Sequence, residues 1–220
     1  MPASVDWSFA ALAAALVVAA YVVGSIPFGV IVARWSGGPD PRTIGSGRTG
    51  GTNALRALGR KLALLVVTGD VLKGALPVLA ARLLTGEAAV EVACGIAAVV
   101  GASRSMFVGF KGGRGVGTGV GTMLIIQPLA VAIAAPVFVA VIAITRYVSL
   151  GSLLGSAAMV LVVGIWWLAA NGTVPWEYPV YATVGAALVW LAHADNIERL
   201  IRGTERKFDL ELLARDDPAG

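Results

Sequence analysis

Two glycine-rich, basic segments of the chain have the composition of phosphate-binding loops. The first covers residues 45–53 (GSGRTGGTN) and the second covers residues 111–119 (KGGRGVGTG). Glycine lets main-chain N–H groups approach a ligand closely, and Arg and Lys side chains donate hydrogen bonds to phosphate oxygens. Both segments lie between long apolar stretches, so we expect chemistry on a phosphorylated substrate at a membrane surface.

The elements that position these loops are predicted to be membrane-spanning helices. Of the 220 residues, 57% are hydrophobic and 14% are charged, and the mean hydropathy is +0.82. Soluble domains do not have this composition, and a crossing helix needs about 20 mainly apolar residues. We predict an all-α polytopic membrane protein with about seven transmembrane helices, at residues 9–33, 62–84, 88–108, 116–126, 129–145, 149–170 and 179–194.

The distribution of basic residues predicts the topology of the chain. If the N-terminus is outside, seven crossings bring residues 34–61, 109–118, 145–149 and 195–220 to one face, and these segments hold nearly all of the Lys and Arg. Cytoplasmic segments carry this excess, so both glycine-rich loops and the C-terminus are predicted to be cytoplasmic. The net charge of +4 is expected to face anionic lipid rather than nucleic acid. Residues 1–207 are predicted to form one membrane-embedded domain and residues 208–220 a polar tail.

Asp70 and Lys73 are charged residues inside the second predicted span. They are three residues apart and therefore share a helix face. Each charge costs about 2.5–3.5 kcal/mol at the centre of a membrane helix, so the two should compensate each other in the protein interior. We interpret them as a structural ion pair that braces the site, and direct contact with substrate is the alternative.

The sequence predicts neither a metal nor a cofactor. One histidine and one cysteine are too few for a zinc site, which normally needs three or four nitrogen or sulfur ligands. The Walker and G-x-S-x-G signatures are absent from the sequence. Gly45, Gly47 and Gly50 match the dinucleotide-binding pattern G-x-G-x-x-G, but no predicted strand precedes them, so we reject that interpretation.

Polar residues at the ends of three predicted spans are further candidates. The segment GSIPFG at 24–29 ends the first span and is either a packing kink or part of a substrate wall. Ser149 begins the sixth span, where free N–H donors make it a cap, an anion ligand, or both. His193 and Asn196 share a face after the seventh span. The histidine is either a hydrogen-bonded structural residue or a general base.

Six motifs occur in a fixed order between residues 24 and 207. They are GSIPFG at 24–29, GSG followed by GxTNxxRxxG across 45–59, GDxxKG at 69–74, FKGGRGV at 110–116, RYVSLGS at 146–152, and HxxNIxRL followed by GTE at 193–205. In this order the chain resembles the bacterial integral-membrane glycerol-3-phosphate acyltransferases that use acyl phosphate as donor. Several ordered motifs are far more specific than one glycine loop.

The resemblance implies a seven-helix enzyme of the bacterial cytoplasmic (inner) membrane whose active site faces the cytoplasm. Such an enzyme transfers an acyl chain from long-chain acyl phosphate to the 1-hydroxyl of sn-glycerol 3-phosphate, giving lysophosphatidic acid and phosphate, without acyl-CoA or acyl carrier protein. By matching position, the resemblance implies substrate-binding or catalytic roles for Ser46, Asn53, Arg56, Lys111, Ser149, His193, Asn196 and Glu205.

Two positions depart from the family pattern. Arg48 stands where the family usually has Asn, and Ala102 stands where it usually has His. The side chain of Ala102 cannot hydrogen-bond or carry a proton, so a role of that histidine is lost or transferred. A catalytically silent relative is therefore one alternative. A transporter or channel for a phosphorylated solute is another, and it would place binding groups near the membrane midplane.

The implied reaction depends on positioning, because acyl phosphate already has a good leaving group. Like unit charges 4 Å apart repel by about 4 kcal/mol at an effective dielectric of 20, and cationic side chains offset that repulsion. We expect one phosphate to be held by Lys111, Arg114 and the N–H groups of Gly112, Gly113 and Gly115, and the other by Ser46, Gly47, Arg48, Asn53 and Arg56, with Ser149 and Glu205 nearby.

Proton transfer and the acyl tail complete the predicted site. His193, held by Asn196, is the conventional general base, and a phosphate oxygen of the substrate is the alternative. Ser149 and Lys111 are predicted to assist catalysis. The tail is expected in a groove between helices that opens to the inner leaflet, because exposing each CH₂ to water costs about 0.8 kcal/mol. Residues of the first, fourth and fifth spans are the candidates for lining it.

Overall fold

Nine α-helices make up most of residues 6–209, which are the residues that the computed structural model describes. Their bounds are Trp7–Gly24 (α1), Phe28–Ser36 (α2), Gly51–Thr85 (α3), Ala88–Ser103 (α4), Val116–Ile126 (α5), Pro128–Thr145 (α6), Val148–Ala169 (α7), Glu177–Ala192 (α8) and Ala194–Ile201 (α9). Two short 3₁₀ turns, Pro41–Thr43 and Met106–Val108, lie in connections, and no strand occurs within 6–209. The predicted all-α class is confirmed.

Five helical segments within the described residues are long and apolar enough to cross a membrane. They are Trp7–Gly24, Gly51–Thr85, Ala88–Val108, Pro128–Thr145 and Val148–Ala169. The predicted span at 116–126 is an apolar helix of only 11 residues, and α8 has 16. A polytopic helical architecture is therefore established, and the count of seven crossings stays a prediction.

The first predicted span is not one helix. We expected one span over residues 9–33 with a kink or a substrate wall at 24–29, and the structure has a full break there: α1 ends at Gly24 and α2 begins at Phe28. Pro27 disfavours helical conformation at the residue before it and offers no N–H, so the chain breaks between the two helices. The buried Ser25 occupies this break, where its hydroxyl donates to the carbonyl of Tyr21 at 2.8 Å.

The second span begins earlier than the hydropathy suggested. We predicted it from residue 62, whereas α3 begins at Gly51 and bends at Gly59, whose φ of 77° is accessible mainly to glycine. Its first turns carry Asn53 and Arg56, so the last three residues of the first glycine-rich loop, 51–53, are already helical. This helix contacts α1, α2, α4 and α5 and forms the centre of the bundle.

The short helix α5 is fixed against α3 by two glycine contacts. A Cβ atom at Gly74 would overlap the carbonyl of Thr118, and one at Gly121 would overlap the carbonyl of Val71. Small residues allow this backbone contact between membrane helices. The loop before α5 is therefore carried on a helix whose position is set by main-chain packing.

A cluster of polar side chains ties the helices together at the end of the bundle opposite the glycine-rich loops. Arg82, near the end of α3, donates to Glu91 of α4 at 2.6 Å and to Tyr178 of α8 at 3.2 Å. Its Nη1 also donates to the carbonyl of Ile125 in the last turn of α5 at 2.7 Å. The cluster satisfies a buried carboxylate and fixes the far ends of four helices.

Candidate active site

A polar cavity of about 360 Å³ lies where the first turns of α3, α5 and α7 meet the residues that follow α8. Free N–H groups and the positive end of the helix dipole make each first turn an anion-binding element. The lining of the cavity includes five cationic side chains and two acidic ones. The cationic residues are Arg48, Arg56, Lys73, Arg114 and Arg206, and the acidic residues are Asp70 and Glu205. This arrangement suits a strongly anionic ligand.

The first glycine-rich loop is wrapped around one buried amide, that of Asn53. Its Nδ2 lies within hydrogen-bond distance of four acceptors, the carbonyls of Pro41, Ile44 and Arg48 and the hydroxyl of Ser46. Its Oδ1 accepts from Arg56 Nη1 at 3.1 Å. The structure thus assigns Asn53 to holding the loop, with Ser46, Arg48 and Arg56 facing the same cavity.

The second glycine-rich loop is held by main-chain hydrogen bonds. The N–H of Gly112 donates to the carbonyl of Ser103 at 3.2 Å, and the N–H of Gly113 donates to that of Ala102 at 2.9 Å. Gly115 precedes α5 with a φ of 75°. Ala102 therefore contributes its carbonyl to the loop, and this contact does not require a histidine side chain.

The two glycine-rich loops touch each other. A Cβ atom at Gly113 would lie 3.6 Å from Thr49 Oγ1 and 3.7 Å from the backbone nitrogen of Gly50. Gly113, Arg114 and Gly115 line the polar cavity together with residues 48–53. The predicted convergence of the loops on one site is therefore present in the structure.

An ion-pair network connects the second loop to α9. Arg114 Nη2 donates to Asp195 at 3.0 Å, and Asp195 also pairs with Arg199 at 3.3 Å. Burial raises the pKa of Asp195, but the nearby Arg114 and Arg199 outweigh it and hold that pKa below its usual value. Sequence reasoning missed Asp195 and Arg199, although their spacing of four residues on a helix is that of an ion pair.

Glu205 links α7 and α9 at the cavity. It accepts from Ser149 Oγ at 2.9 Å, from Asn196 Nδ2 at 2.6 Å and from Arg199 Nε at 2.7 Å. Ser149 is therefore not the predicted cap, because α7 begins at Val148 and the hydroxyl is bound to Glu205. Among the described residues, Arg114 Nε and Asn196 Oδ1 are buried polar atoms with no hydrogen-bond partner, and both residues line the cavity.

The segment after α9 is fastened to the end of α6 by Arg146 and Phe208. The N–H of Phe208 donates to the carbonyl of Arg146 at 2.6 Å, and Arg146 Nε donates back to the carbonyl of Phe208 at 2.8 Å. This contact holds Glu205 and Arg206 at the cavity. Phe208, the first residue of the predicted tail, is buried against the bundle, and the tail beyond 209 lies outside the described residues.

His193 lies between α8 and α9 and is buried. Its Nδ1 is 2.7 Å from the carbonyl of Val189, so the ring is held by that carbonyl and not, as we predicted, by the side chain of Asn196. Because a carbonyl can only accept, Nδ1 carries the proton and Nε2 of the neutral ring is an acceptor. Burial lowers the pKa of His193 to about 4, which keeps the ring neutral at pH 7.

The ion pair predicted inside α3 is present at the cavity wall. Lys73 Nζ is 2.6 Å from Asp70 Oδ1 and also donates to the carbonyl of Ile26 at 3.0 Å. The lysine thus fixes the break between α1 and α2, and both charged residues line the polar cavity. This position fits a bracing role and also fits contact with substrate.

Three of the predicted site residues do not line the polar cavity. They are Gly47, Lys111 and Gly112. The side chain of Lys111 is exposed, and Gly112 is occupied by its main-chain contact with Ser103. Catalysis or phosphate binding by these three residues stays a prediction.

An apolar cavity of about 160 Å³ adjoins the polar one. The two share the wall residues Val116, Val120, Phe138 and Ser152. The apolar cavity is lined by residues of α4 to α8, so the fourth and fifth predicted spans contribute to it, whereas α1 does not. A ligand with an anionic head and an apolar tail could place the head in the polar cavity and the tail in the apolar one, next to the residues that both cavities share.

Residues 14–203 match the family model described as glycerol-3-phosphate acyltransferase. The chain is 46% identical over 198 residues to the glycerol-3-phosphate acyltransferase of Myxococcus xanthus, covering 90% of this chain and 100% of that relative. It is 44% identical over 193 residues to the enzyme of the same name from Geobacter sulfurreducens, covering 88% and 96%.

The structure is similar to crystal structures of PlsY (YgiH), an integral membrane glycerol 3-phosphate acyltransferase. The TM-score is 0.83, at 37% identity, with the glycerol 3-phosphate form of PlsY, and 0.81, at 36% identity, with its lysophosphatidic acid form. Each comparison covers 92% of this chain and 99% of PlsY. The similarity extends over nearly all of both chains.

Proposed function

Because the chain belongs to the glycerol-3-phosphate acyltransferase family, we propose that it transfers an acyl chain from acyl phosphate to the 1-hydroxyl of sn-glycerol 3-phosphate. The products are lysophosphatidic acid and inorganic phosphate. The similar PlsY structures include a glycerol 3-phosphate form and a lysophosphatidic acid form, which correspond to the acceptor and the product of this reaction.

One observation carries the proposal of acyl phosphate as donor. The cationic cavity, where two glycine-rich loops touch, shares a wall with an apolar cavity. Two phosphates meeting in one site need several compensating cations, and five cationic side chains line the polar cavity. An acyl phosphate provides one of these phosphates directly on the acyl carbonyl.

The shared wall supports an assignment of the two substrates. With its tail in the apolar cavity, the donor has its carbonyl near Val116 and Ser152, and its phosphate then faces the first turn of α5 with Gly113 and Arg114. Glycerol 3-phosphate occupies the opposite side, where Ser46, Arg48, Arg56 and Arg206 line the cavity. Each glycine-rich loop then binds one phosphate.

The reaction requires one new bond and one broken bond. The 1-hydroxyl oxygen attacks the acyl carbonyl carbon, the bond from that carbon to the phosphate oxygen breaks, and phosphate leaves with the electron pair. The hydroxyl proton goes to Nε2 of His193 or to the departing phosphate. The held loops align the reactants, and the arginines offset repulsion between their phosphates.

The direction of the helices supports seven crossings with the N-terminus outside. The first turns of α3, α5 and α7 and the end of α8 all border the polar cavity, so the helices from α3 to α8 alternate in direction. Gly24, at the end of α1, packs on Ala98 of α4 near the same face. We count α5 as a short crossing and α2 as none, and so propose seven spans, a cytoplasmic C-terminus and an active site on the cytoplasmic side of a bacterial inner membrane.

The proposal is tested with purified protein in nanodiscs that is supplied with glycerol 3-phosphate and either palmitoyl phosphate or palmitoyl-CoA. We expect lysophosphatidic acid and inorganic phosphate in equal amounts from palmitoyl phosphate, and no product from the thioester. Product from palmitoyl-CoA alone would overturn the assignment of the donor. Solute flux through sealed vesicles without any ester product would instead favour a transporter.

A separate experiment tests the orientation in the membrane. Single-cysteine variants at Gly86 and Gly203, in a Cys94→Ala background, are treated with a membrane-impermeant thiol reagent in inverted inner-membrane vesicles. Gly203→Cys should react and Gly86→Cys should not, because they follow α9 and α3 respectively. Reaction of both, or the reverse pattern, would contradict the proposed topology.

A further inference from the structure

The end of the apolar cavity that lies away from the polar cavity, here called its inner end, has larger side chains in its lining than the middle has. Because α5 and α7 run away from the polar cavity while α6 and α8 run towards it, the lining residues can be ordered by depth. The middle is lined by Gly119, Ala134, Ala135, Gly155, Gly185 and Ala186. The inner end is lined by the larger Met123, Val131, Met159 and Tyr181, together with Ala182. A tail that enters from the polar side therefore meets a wide section and then a barrier.

Tyr181 is the rigid part of this barrier. It is 2% exposed, and its hydroxyl is hydrogen-bonded to that of Thr122. Its ring lies against Gly95 of α4, where a Cβ atom would come within 2.8 Å of Cε2. Met159 is only partly buried, and an unbranched thioether side chain adapts to its surroundings. One wall of the barrier is thus fixed and the other can yield.

The barrier lies about eight carbons from the shared wall. Ser152 at that wall and Met159 at the barrier are seven residues apart on α7, which corresponds to about 10 Å at 1.5 Å per residue. An extended acyl chain advances about 1.2 Å per bond. This value is taken from an extended polypeptide, in which three backbone bonds span about 3.5 Å. Four carbons do not reach the barrier, eight reach it, and sixteen must pass it.

We propose that Met123, Met159 and Tyr181 determine the acyl chain-length preference of the donor, and we call them the inner barrier. The inference rests on the proposed function. Carbons up to about the eighth are enclosed between the shared wall and the inner barrier. Further carbons displace Met159 or leave past Ala135, which lines the cavity and is exposed on α6.

The test compares kcat/KM for butyryl, octanoyl and palmitoyl phosphate across variants. Gly185→Leu fills the middle of the cavity, and its Cβ has room because it would lie 3.8 Å from Tyr181. It should lower the ratio of octanoyl to butyryl turnover at least tenfold. Met159→Ala removes the yielding part of the barrier and should raise the ratio of palmitoyl to octanoyl turnover at least threefold.

Butyryl phosphate is the internal control, because a merely structural defect would lower turnover of all three donors alike. Gly164→Leu is the matched control variant, because it makes the same change on the neighbouring helix α7, at a position that has open space around it and does not line the cavity. Both ratios should stay within twofold in this variant. If Gly185→Leu does not fold, Gly119→Val replaces it, because a Cβ there would lie 3.9 Å from Val99.

Unchanged ratios in the filling variant and in Met159→Ala would overturn the inference, and so would an equal shift in Gly164→Leu. The failure of the inference is distinguishable from failure of the proposed function. If the wild-type protein transfers no acyl group from any of the three acyl phosphates, the proposed function fails and this inference fails with it. If it transfers all three and the variants leave both ratios unchanged, only the inference fails.

Discussion

The two glycine-rich loops look alike in sequence but are held in different ways. The first is organised by a single buried side chain, the amide of Asn53, which faces four acceptors. The second is held through main-chain contacts to Ser103 and Ala102 and through the pair between Arg114 and Asp195. The first loop therefore depends largely on one side chain, whereas the second distributes its support over several residues.

This difference predicts unequal sensitivity to mutation. A buried acceptor that loses its donor costs about 1–3 kcal/mol, and the loss of Asn53 would leave several such acceptors at once. The main-chain contacts of the second loop survive most side-chain substitutions. Variants in the first loop should accordingly have larger effects on activity than comparable variants in the second.

The largest effect is expected from Asn53→Asp. The change keeps the shape of the side chain but removes the N–H donors and places a negative charge beside carbonyl oxygens. We expect kcat/KM with palmitoyl phosphate and glycerol 3-phosphate to fall about 100-fold, which is ~2.7 kcal/mol. The matched variant Asn171→Asp, in an exposed turn after α7, should stay within twofold. Retention of a third of wild-type activity by Asn53→Asp would contradict the difference between the loops.

A smaller effect is expected from Arg114→Gln. The variant loses a cation that lines the cavity and its contact with Asp195, while the main-chain hydrogen bonds of the loop remain. We expect the KM for the acyl phosphate to rise about 30-fold with a smaller change in kcat, since a charge-assisted hydrogen bond contributes about 1.5–3 kcal/mol. Arg104→Gln is the control, because Arg104 is exposed and does not line the cavity. A larger loss than that of Asn53→Asp would reverse the comparison.

Glu205→Gln tests a more distant support of the second loop, because Glu205 holds Arg199, which pairs with the Asp195 that binds Arg114. The amide still accepts from Ser149 or Asn196, but the ion pair with Arg199 is lost. We expect about a tenfold loss of kcat/KM, comparable to a single charged hydrogen bond. Glu198→Gln provides the control because its pair with Arg202 is exposed on α9, and exposed pairs contribute about 0–1 kcal/mol. Equal losses in the two variants would show that Glu205 does not support the second loop.

The sequence predicted the loops and their convergence but not how each is held. Glycine content and charge identify residues 45–53 and 111–119, since these features are local. The contacts that hold the loops join residues that are distant in sequence. Nδ2 of Asn53 contacts Pro41, and Asp195 pairs with Arg114. The segment at 24–29 likewise predicted a kink in the first span, but not that Lys73 of another helix donates to the carbonyl of Ile26 there.

A spectroscopic signal, rather than a change in activity, tests the environment of His193, which belongs to neither loop. The chain has one histidine, so its NMR resonances can be followed without assignment. Because burial lowers its pKa to about 4, the ring should stay neutral from pH 8 to about pH 5. In the unfolded chain the histidine has a pKa of about 6.5, so between about pH 6.5 and pH 4 the unfolded state binds more protons than the folded state. The free energy of unfolding should therefore fall as the pH drops through this range. A titration midpoint near pH 6.5 in the folded protein would contradict this burial.

Because the two glycine-rich loops meet in one site, cysteines placed in both loops should form a disulfide. Thr49→Cys and Gly113→Cys are combined in a Cys94→Ala background, because a Cβ at Gly113 would lie 3.6 Å from Thr49 Oγ1. The control pairs Thr49→Cys with Gly164→Cys on the outer part of α7. Under mild oxidation we expect an intramolecular disulfide in most molecules of the first variant and none in the control, with activity lost and then restored by reduction. If both cysteines of the first variant react with a thiol reagent but never with each other, the two glycine-rich loops do not share a site.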